Sequence, residues 1–134
     1  MLFIGLVLII QSCGWLEKRE QIEIIGDYAV GWNDLESNRC IRKSTNGCSG
    51  CYSILVEGYV YGVGHNENFI IVKQHPNPDT SVTNYYVIDV AKNSKQTSQG
   101  INGPLSKSRF EELLRELKIS HLAFDLNFDE SPKL

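Results

Sequence analysis

Short segments dense in apolar and aromatic residues, separated by polar turn clusters, follow one another through most of the chain, a pattern that predicts β-strands. Six segments are rich in Val, Ile, Tyr, Phe and Trp, the residues that suit a pleated surface: 22–25, 28–32, 52–56, 59–63, 69–74 and 85–90. Clusters of Gly, Asn, Asp and Pro separate them and mark turns, as at Gly26-Asp27 and Asn46-Gly47. Because no helical pattern lies between these segments, we expect them to pair antiparallel in hairpins and meanders.

A helix is predicted after the strands, where the apolar residues change to a spacing of three and four. Ser106 suits an N-cap, and Leu105 and Phe110 stand at the spacing of a hydrophobic staple around it. The apolar face that should pack on the sheet comprises Phe110, Leu113, Leu114 and Leu117. Residues 122–128 then alternate between apolar and polar, which predicts a short, half-buried final strand. The expected fold class is α+β, with an antiparallel β-sheet or meander, one C-terminal amphipathic helix packed on it, and that final strand.

The N-terminus departs from this pattern with an uninterrupted apolar run over residues 2–10. The run is about half as long as the roughly 20 residues needed to cross a bilayer, and it has the length of a signal-peptide core. It ends in Ile10-Gln11-Ser12-Cys13, which resembles a bacterial lipobox, so we expect cleavage after Ser12 and attachment of a diacylglycerol to the Cys13 thiol. No Lys or Arg precedes the run and no A-x-A site follows it. A buried strand and an uncleaved anchor therefore stay open as alternatives.

Length and composition indicate one ordinary globular domain behind this signal. The 134 residues are enough for one hydrophobic core and too few for two ordinary domains. We therefore divide the chain into a lipoprotein signal peptide (1–12), a lipidated cysteine with a tether (13–21) and a single β-rich domain (22–134). With 13 Lys and Arg against 16 Asp and Glu, the formal net charge is -3, which argues against a nucleic-acid-binding surface.

Three further cysteines, Cys40, Cys48 and Cys51, lie in the segment NRCIRKSTNGCSGC. Outside the cytoplasm, a disulfide from Cys40 to Cys48 or Cys51 would close a hairpin and leave one thiol over. A second hypothesis is a zinc ion held by the three cysteines and one histidine. It is the weaker alternative, because we expect no cofactor. The histidines available as the fourth ligand are His65, His75 and His121. A third hypothesis is thiol redox chemistry at the C-x-x-C pair, although the strand predicted after it would not lower a thiol pKa as a helix N-terminus does.

No catalytic group of residues is recognisable, so we expect a protein that is not an enzyme. The chain shows no Ser-His-Asp order or nucleophile elbow, and the glycines of residues 58–64 lack the order of a phosphate-binding loop. Six aromatic residues could line a binding face, although in a β-domain such residues more often form the core and cross-strand pairs. They are Tyr28, Trp32, Tyr59, Tyr61, Tyr85 and Tyr86.

The succession of a lipobox cysteine, GDYAV, GVGHNENFIIVKQ, NYYVIDV and GPLSKSRFEELLRELKI resembles a family of small bacterial lipoproteins whose domain has no assigned function. The resemblance covers about residues 25–119, and it implies a location and a fold but no catalytic residue.

We accordingly expect a protein of the bacterial cell envelope that faces the periplasm or the exterior. It should be held to the membrane through a lipid on Cys13, and should bind an unknown protein or small-molecule partner or have a structural role, without binding nucleic acid. One alternative is an envelope metal-binding or thiol-redox protein that uses Cys40, Cys48 and Cys51. Another is a membrane-tethered protein of the immunity or inhibitor type.

Overall fold

The computed structural model describes residues 21–32, 37–45, 50–76 and 80–128. These residues form nine strands and two helices: β1 Gln21–Ile25, β2 Tyr28–Gly31, β3 Cys40–Ser44, β4 Tyr52–Val56, β5 Val60–His65, β6 Phe69–Gln74, β7 Asn84–Asp89, α1 Val90–Lys95, β8 Ile101–Leu105, α2 Lys107–Glu116 and β9 Leu126–Asn127. The prediction of a β-rich α+β domain with antiparallel pairing is confirmed.

The strands form two sheets, where the sequence predicts one. The N-terminal sheet is the meander β1-β2-β3-β4, and the C-terminal sheet has the order β8-β7-β6-β5-β9. All pairings in both sheets are antiparallel. The chain changes sheets between β4 and β5, where the Val60 amide donates to the Arg39 carbonyl at 3.0 Å. This hydrogen bond joins the first residue of the second sheet to the residue that precedes β3.

Apolar side chains from both sheets meet in one core, so the sheets pack face to face. The buried members of this core are Tyr28, Val30, Ile41, Val56, Val60, Val63, Ile70, Val72 and Ile88. Three come from strands β2 and β3 of the first sheet, and most of the others from β5, β6 and β7 of the second. Full burial of a Val or Ile side chain contributes about 1.5–3 kcal/mol, so this core is the main source of stability.

The opposite face of the C-terminal sheet is covered by α2. The Ser106 hydroxyl caps this helix by accepting a hydrogen bond from the Arg109 amide at 3.2 Å. Phe110 and Leu114 then pack against Ile71 of β6 and Val87 of β7. The domain therefore has three layers: the N-terminal sheet, the C-terminal sheet and α2.

The short helix α1 lies in a segment where the sequence predicts the end of a strand and a turn. Asp89, the last residue of β7, is its N-cap and accepts a hydrogen bond from the Lys92 amide at 3.2 Å. Its inward side combines Val90, which packs on the core between the sheets, with the completely buried Asn93. Because α1 has six residues and only one of them packs on that core, the hydrophobic periodicity on which the prediction depends could not reveal it.

The predicted final strand is only partly correct. Two of its apolar residues, Leu122 and Phe124, pack in the helix layer, whereas Leu126 and Phe128 pack in the core between the sheets. Only Leu126–Asn127 pair as β9, on the edge of β5. The chain passes this edge beside Gly64, where a Cβ atom would overlap the Ala123 carbonyl group. The alternating residues therefore serve both faces of the sheet instead of one.

The expected signal peptide, the lipidation site Cys13 and most of the tether lie outside the described residues. Within the part of the chain that the structure describes, no helix has the length and apolar character needed to cross a membrane.

Candidate binding cavity

A cavity of about 360 Å³ lies at the end of the N-terminal sheet where β2 and β4 end and β3 begins. Its volume falls at the lower end of the range usual for small-molecule sites, about 300–1,000 Å³. The lining residues come from three separate segments of the chain: Trp32, Asn38, Cys40, Ile54, Glu57, Gly58 and Tyr59. They include two aromatic rings, one carboxylate, one amide and one thiol.

The wall formed by residues 57–59 is held in place from the neighbouring sheet. The Tyr59 amide donates to the His75 carbonyl at 2.9 Å, and the His75 amide donates back to the Tyr59 carbonyl at 3.0 Å. The Glu57 carbonyl accepts a hydrogen bond from Gln74 Nε2 at 2.6 Å. Gln74 is itself buried and accepts hydrogen bonds at Oε1 from Asn84 and Tyr86. These hydrogen bonds pre-organise the wall, which lowers the entropic cost of binding a ligand.

Gly58 allows this wall to approach the segment that precedes β3. A Cβ atom at Gly58 would lie 2.9 Å from the Arg39 carbonyl oxygen and would overlap Asn38 Oδ1. A side chain at this position would therefore push the two sides of the cavity apart.

Arg39 fixes the segment on the other side. Its side chain is buried, and Nε donates to the Val60 carbonyl at 3.0 Å. The guanidinium lies 4.4 Å from the centre of the Phe128 ring. One residue thus connects the entry to β3, the start of β5 and the C-terminal segment, because a buried Arg needs such partners for its charge and its donors.

The Cys40 thiol lies in the cavity as a neutral group. Since Ile41 points into the core, Cys40 lies on the opposite face of the sheet, and its Sγ donates to the Gly31 carbonyl at 3.3 Å. Burial raises the pKa of the Cys40 thiol, with a smaller upward contribution from Glu57, and Arg42 only partly opposes this. Because the thiolate is the nucleophilic form, a raised pKa makes Cys40 a weak nucleophile at neutral pH.

The expected disulfide from Cys40 is wrong, since Cys40 is a free, buried cysteine. The strand geometry excludes a bond to Cys51: the Thr45 amide donates to the Cys51 carbonyl at 3.0 Å, and Cys40 lies five residues from Thr45 along the ladder. At about 3.3 Å per residue this separation is roughly 16 Å, whereas a disulfide needs Cα atoms within about 7 Å. Cys51 is disulfide-bonded, and Cys48 lies outside the described residues.

The structure does not bring the proposed zinc ligands together. Cys40 follows Arg39, which pairs with Val60 at the start of β5, whereas His65 ends the same strand. The rise of about 3.3 Å per residue separates the two ends by roughly 16 Å, whereas zinc ligands lie within about 2.3 Å of one metal ion. Across residues 21–32, 37–45, 50–76 and 80–128, no three His, Cys, Asp or Glu side chains are grouped to hold a metal.

The three histidines have different environments. His65 and His121 are exposed, as the usual solvated role predicts. His75 is buried: its ring stacks on Tyr61 with centroids 4.2 Å apart, and Nδ1 lies 2.8 Å from the Val82 carbonyl oxygen. The His-Pro pair at 75–76 indicated a turn but not that the His side chain would pack against a strand.

The six aromatic residues singled out in the sequence do not share one face. Tyr28 lies in the core, Tyr85 stacks on Phe110 beneath α2, and Tyr61 stacks on His75. Trp32 and Tyr59 are the members of the set that line the cavity. Sequence reasoning missed Asn38, Ile54 and Glu57, because only the pairing of distant strands brings them beside these two rings.

Glu57 gives the cavity its negative charge. Glu57 is exposed, and it forms no ion pair with any described residue. The ion pairs among the described residues join Arg109 to Glu112 and Glu116 on α2. The pKa of Tyr86 is raised by burial first, and by the charge of Glu57 in addition. The carboxylate therefore acts electrostatically on both Tyr86 and Cys40, on two sides of the wall.

Comparison with known proteins gives one family and no characterised relative. The family model described as "Protein of unknown function (DUF3997)" matches residues 25–129. No curated protein and no solved structure gives a significant match.

Proposed function

We propose that this chain, which belongs to the DUF3997 family of proteins of unknown function, is a lipid-anchored binding protein of the bacterial cell envelope. The observation that carries the proposal is the pre-organised cavity beside Trp32, Glu57 and Tyr59. A cavity of about 360 Å³ with two aromatic rings and a few polar groups has the composition of a small-molecule site.

The chemistry of the cavity favours binding over catalysis. Its thiol is kept neutral by burial, which raises the pKa of Cys40, and no histidine lines the cavity beside it. A nucleophilic thiol needs a neighbouring base or a depressed pKa. For the same reason the position of Cys40 argues against the metal-binding and thiol-redox alternatives, both of which need it as an active group.

The state of the cysteines supports the export that this proposal needs. Cys51 is disulfide-bonded and Cys40 is free, and disulfides persist mainly outside the cytoplasm. The diacylglycerol and the further acyl chain usual in this class would give the two-signal attachment that stable membrane binding needs.

Intact mass measurement of the detergent-extracted protein from a bacterial host tests the anchor. We expect the mass of residues 13–134 plus lipid, with one alkylatable thiol that reacts fully only after denaturation, because Cys40 is buried. An unprocessed Met1, or three or more free thiols, would contradict the proposal.

A ligand screen on the full chain in a neutral detergent tests the binding function. The probe is a panel of small amines, alcohols and carboxylic acids, followed by NMR of the Trp32 indole in a Trp15→Phe background. We expect some members to shift this signal at about 10 mM, the weak affinity that such small molecules can reach. Ile54→Trp should abolish the shifts by filling the cavity, while Val82→Trp is a matched control, since Ile54 and Val82 are 50% and 48% exposed. If no member of the panel shifts Trp32, the binding function is wrong.

A further inference from the structure

We infer that the cavity binds a small organic cation, an amine or a quaternary ammonium group; this rests on the proposed binding function and narrows its ligand class. The inference depends on a juxtaposition: one carboxylate and two aromatic rings, none of which has a cation partner among the described residues, line the same pre-organised space.

The Glu57 carboxylate lines the cavity and forms no ion pair with any described residue. Its backbone carbonyl is held by Gln74 at 2.6 Å, so the position of the residue is fixed even though its side chain reaches solvent. A charge beside a cavity with protein walls attracts an opposite charge more strongly than it would in open water, because the effective dielectric constant is lower.

The two aromatic rings that line the cavity, Trp32 and Tyr59, also suit a cation. In this domain, cations repeatedly lie over aromatic faces: Arg39 over Phe128, Arg42 over Tyr52, Lys43 over Tyr28, and Lys73 over both Tyr61 and Phe124, all between 4.4 and 5.6 Å from the ring centre. Trp32 and Tyr59 have no such cation among the described residues, although both are half-buried and border the cavity. Trp is the best partner for a cation–π contact, and Tyr also serves. Trp32 and Tyr59 are therefore two described rings that are free to accept a cation, and both border the same cavity as the Glu57 carboxylate.

Two positive charges, Arg39 and Arg42, flank Cys40 along the chain, and neither is in the described lining of the cavity. Arg42 acts electrostatically on Cys40, but it does not line the cavity. Its guanidinium donates to Gln21 Oε1 at 3.0 Å and lies 4.4 Å from the Tyr52 ring centre, so two partners hold it on the outer face of the sheet. Asn38 Oδ1 and the neutral Cys40 thiol add no charge to the cavity. Glu57 is therefore the only ionised side chain in the described lining.

The test compares choline with its neutral isostere 3,3-dimethylbutan-1-ol on the full chain in a neutral detergent. Binding is followed by Trp32 fluorescence in the Trp15→Phe background, in which Trp32 is the single tryptophan. We expect choline to bind with a Kd of about 1–10 mM and the alcohol to bind at least about fivefold more weakly. The affinity for choline should also fall as the salt concentration rises, because Glu57 is at the rim.

Two variants locate the charge. Glu57→Gln keeps the shape of the side chain and should weaken choline binding about fivefold or more, without changing the affinity for the alcohol. Glu67→Gln, an exposed carboxylate in the turn between β5 and β6, is the matched control and should leave both affinities unchanged.

The outcomes separate this inference from the proposed function. Equal affinities for choline and the alcohol, or an unchanged choline affinity in Glu57→Gln, would overturn the cation assignment and leave the binding function standing. The same holds if choline does not bind but other members of the small-molecule panel shift the Trp32 signal. If neither choline nor any panel member binds, both the inference and the proposed function fail.

Discussion

The two ends of the N-terminal sheet differ in how they use polar groups. At the α1 end, the fully buried Asn93 side chain accepts a hydrogen bond from the Tyr28 hydroxyl at 2.8 Å and donates to the carbonyls of Thr97 and Gln99 at 2.9 and 2.8 Å. At the cavity end, and within the part of the chain that the structure describes, Glu57 has no ion partner and the buried Ser37 hydroxyl has no hydrogen-bond partner. The buried polar groups at the α1 end are therefore paired in a hydrogen-bond network, whereas those at the cavity end are not all paired.

This difference indicates a division of roles within one sheet. A buried polar network whose members are all paired fixes one arrangement of the chain. A buried polar group without a partner, such as the Ser37 hydroxyl, costs stability, and such costs are typical of binding sites. We therefore expect substitutions at the α1 end to change stability without changing binding. Substitutions at the cavity end should have smaller effects on stability, and those that move the cavity wall should also change binding.

The largest effect should follow from removing Asn93. Asn93→Ala leaves the Tyr28 hydroxyl and two carbonyl groups without their partner, and each unsatisfied buried group costs about 1–3 kcal/mol. We expect a loss of about 3 kcal/mol or more in the free energy of unfolding, measured by urea denaturation. Ser94→Ala, an exposed position in the same helix, should stay within about 0.5 kcal/mol. A loss as small as that of the control would show that the network does not stabilise this end.

Gly58→Ala should have the next largest effect, and it should lower both the stability of the domain and the affinity of the cavity for its ligands. The added methyl group meets Asn38 Oδ1 and the Arg39 carbonyl oxygen, and such overpacking costs about 1–3 kcal/mol. Choline or panel binding should weaken as the cavity wall moves. Gly62→Ala is the matched control, because the methyl group there meets mainly the flexible end of the Lys73 side chain. Unchanged binding in a folded Gly58→Ala protein would argue against the close approach as a determinant of the cavity.

The Cys40 thiol should give a smaller, pH-dependent effect. Burial raises the pKa of Cys40, so the folded state holds the thiol proton more tightly than the unfolded state. The resulting stability is present below the unfolded-state pKa, about 8.5, and is lost as the pH rises through the folded-state value. The difference in unfolding free energy between the native protein and Cys40→Ala should therefore shrink from pH 7 to pH 10. The buried tyrosines are common to both proteins and cancel, and a difference that grows with pH would contradict the prediction.

Ser37→Ala should have the smallest effect on the free energy of unfolding, and it should raise this energy instead of lowering it. Its hydroxyl is buried and forms no hydrogen bond, so its removal takes away an unsatisfied group. We expect a change in stability between zero and a gain of about 1 kcal/mol, in the same denaturation assay. A loss above about 1 kcal/mol would mean that the hydroxyl has a partner in solution.

Strands with clear apolar patterns were predictable from the sequence, and those with polar patterns were not. Residues 69–74 were predicted with the bounds of β6 because Phe, Ile and Val dominate them. The strand β3, Cys40–Ser44, was missed because only Ile41 of its five residues faces the core. The edge strand β8 was missed because it contains Gly103 and Pro104, which normally indicate a turn.

The candidate site was predictable only in part, because it is formed by the pairing of strands and not by a motif. The spacing of the cysteines indicates that Cys40 is a candidate site residue. The environment of its thiol, however, depends on the strand register that sets Cys40 opposite Gly31. Glu57 and Asn38 carry no local pattern. They become neighbours because Gly58 lets two distant loops touch, and sequence spacing alone does not contain that contact.

The contact between Arg39 and Phe128 has a consequence for biosynthesis. One side of the cavity is supported by the ring of Phe128, a residue far along the chain, whose centre lies 4.4 Å from the Arg39 guanidinium. The N-terminal sheet can be synthesised long before that ring exists, and β5 gains its edge partner β9 at the same late stage. The cavity is therefore complete only once Phe128 has packed on Arg39, and a chain truncated before that residue would carry the cavity residues without a finished site.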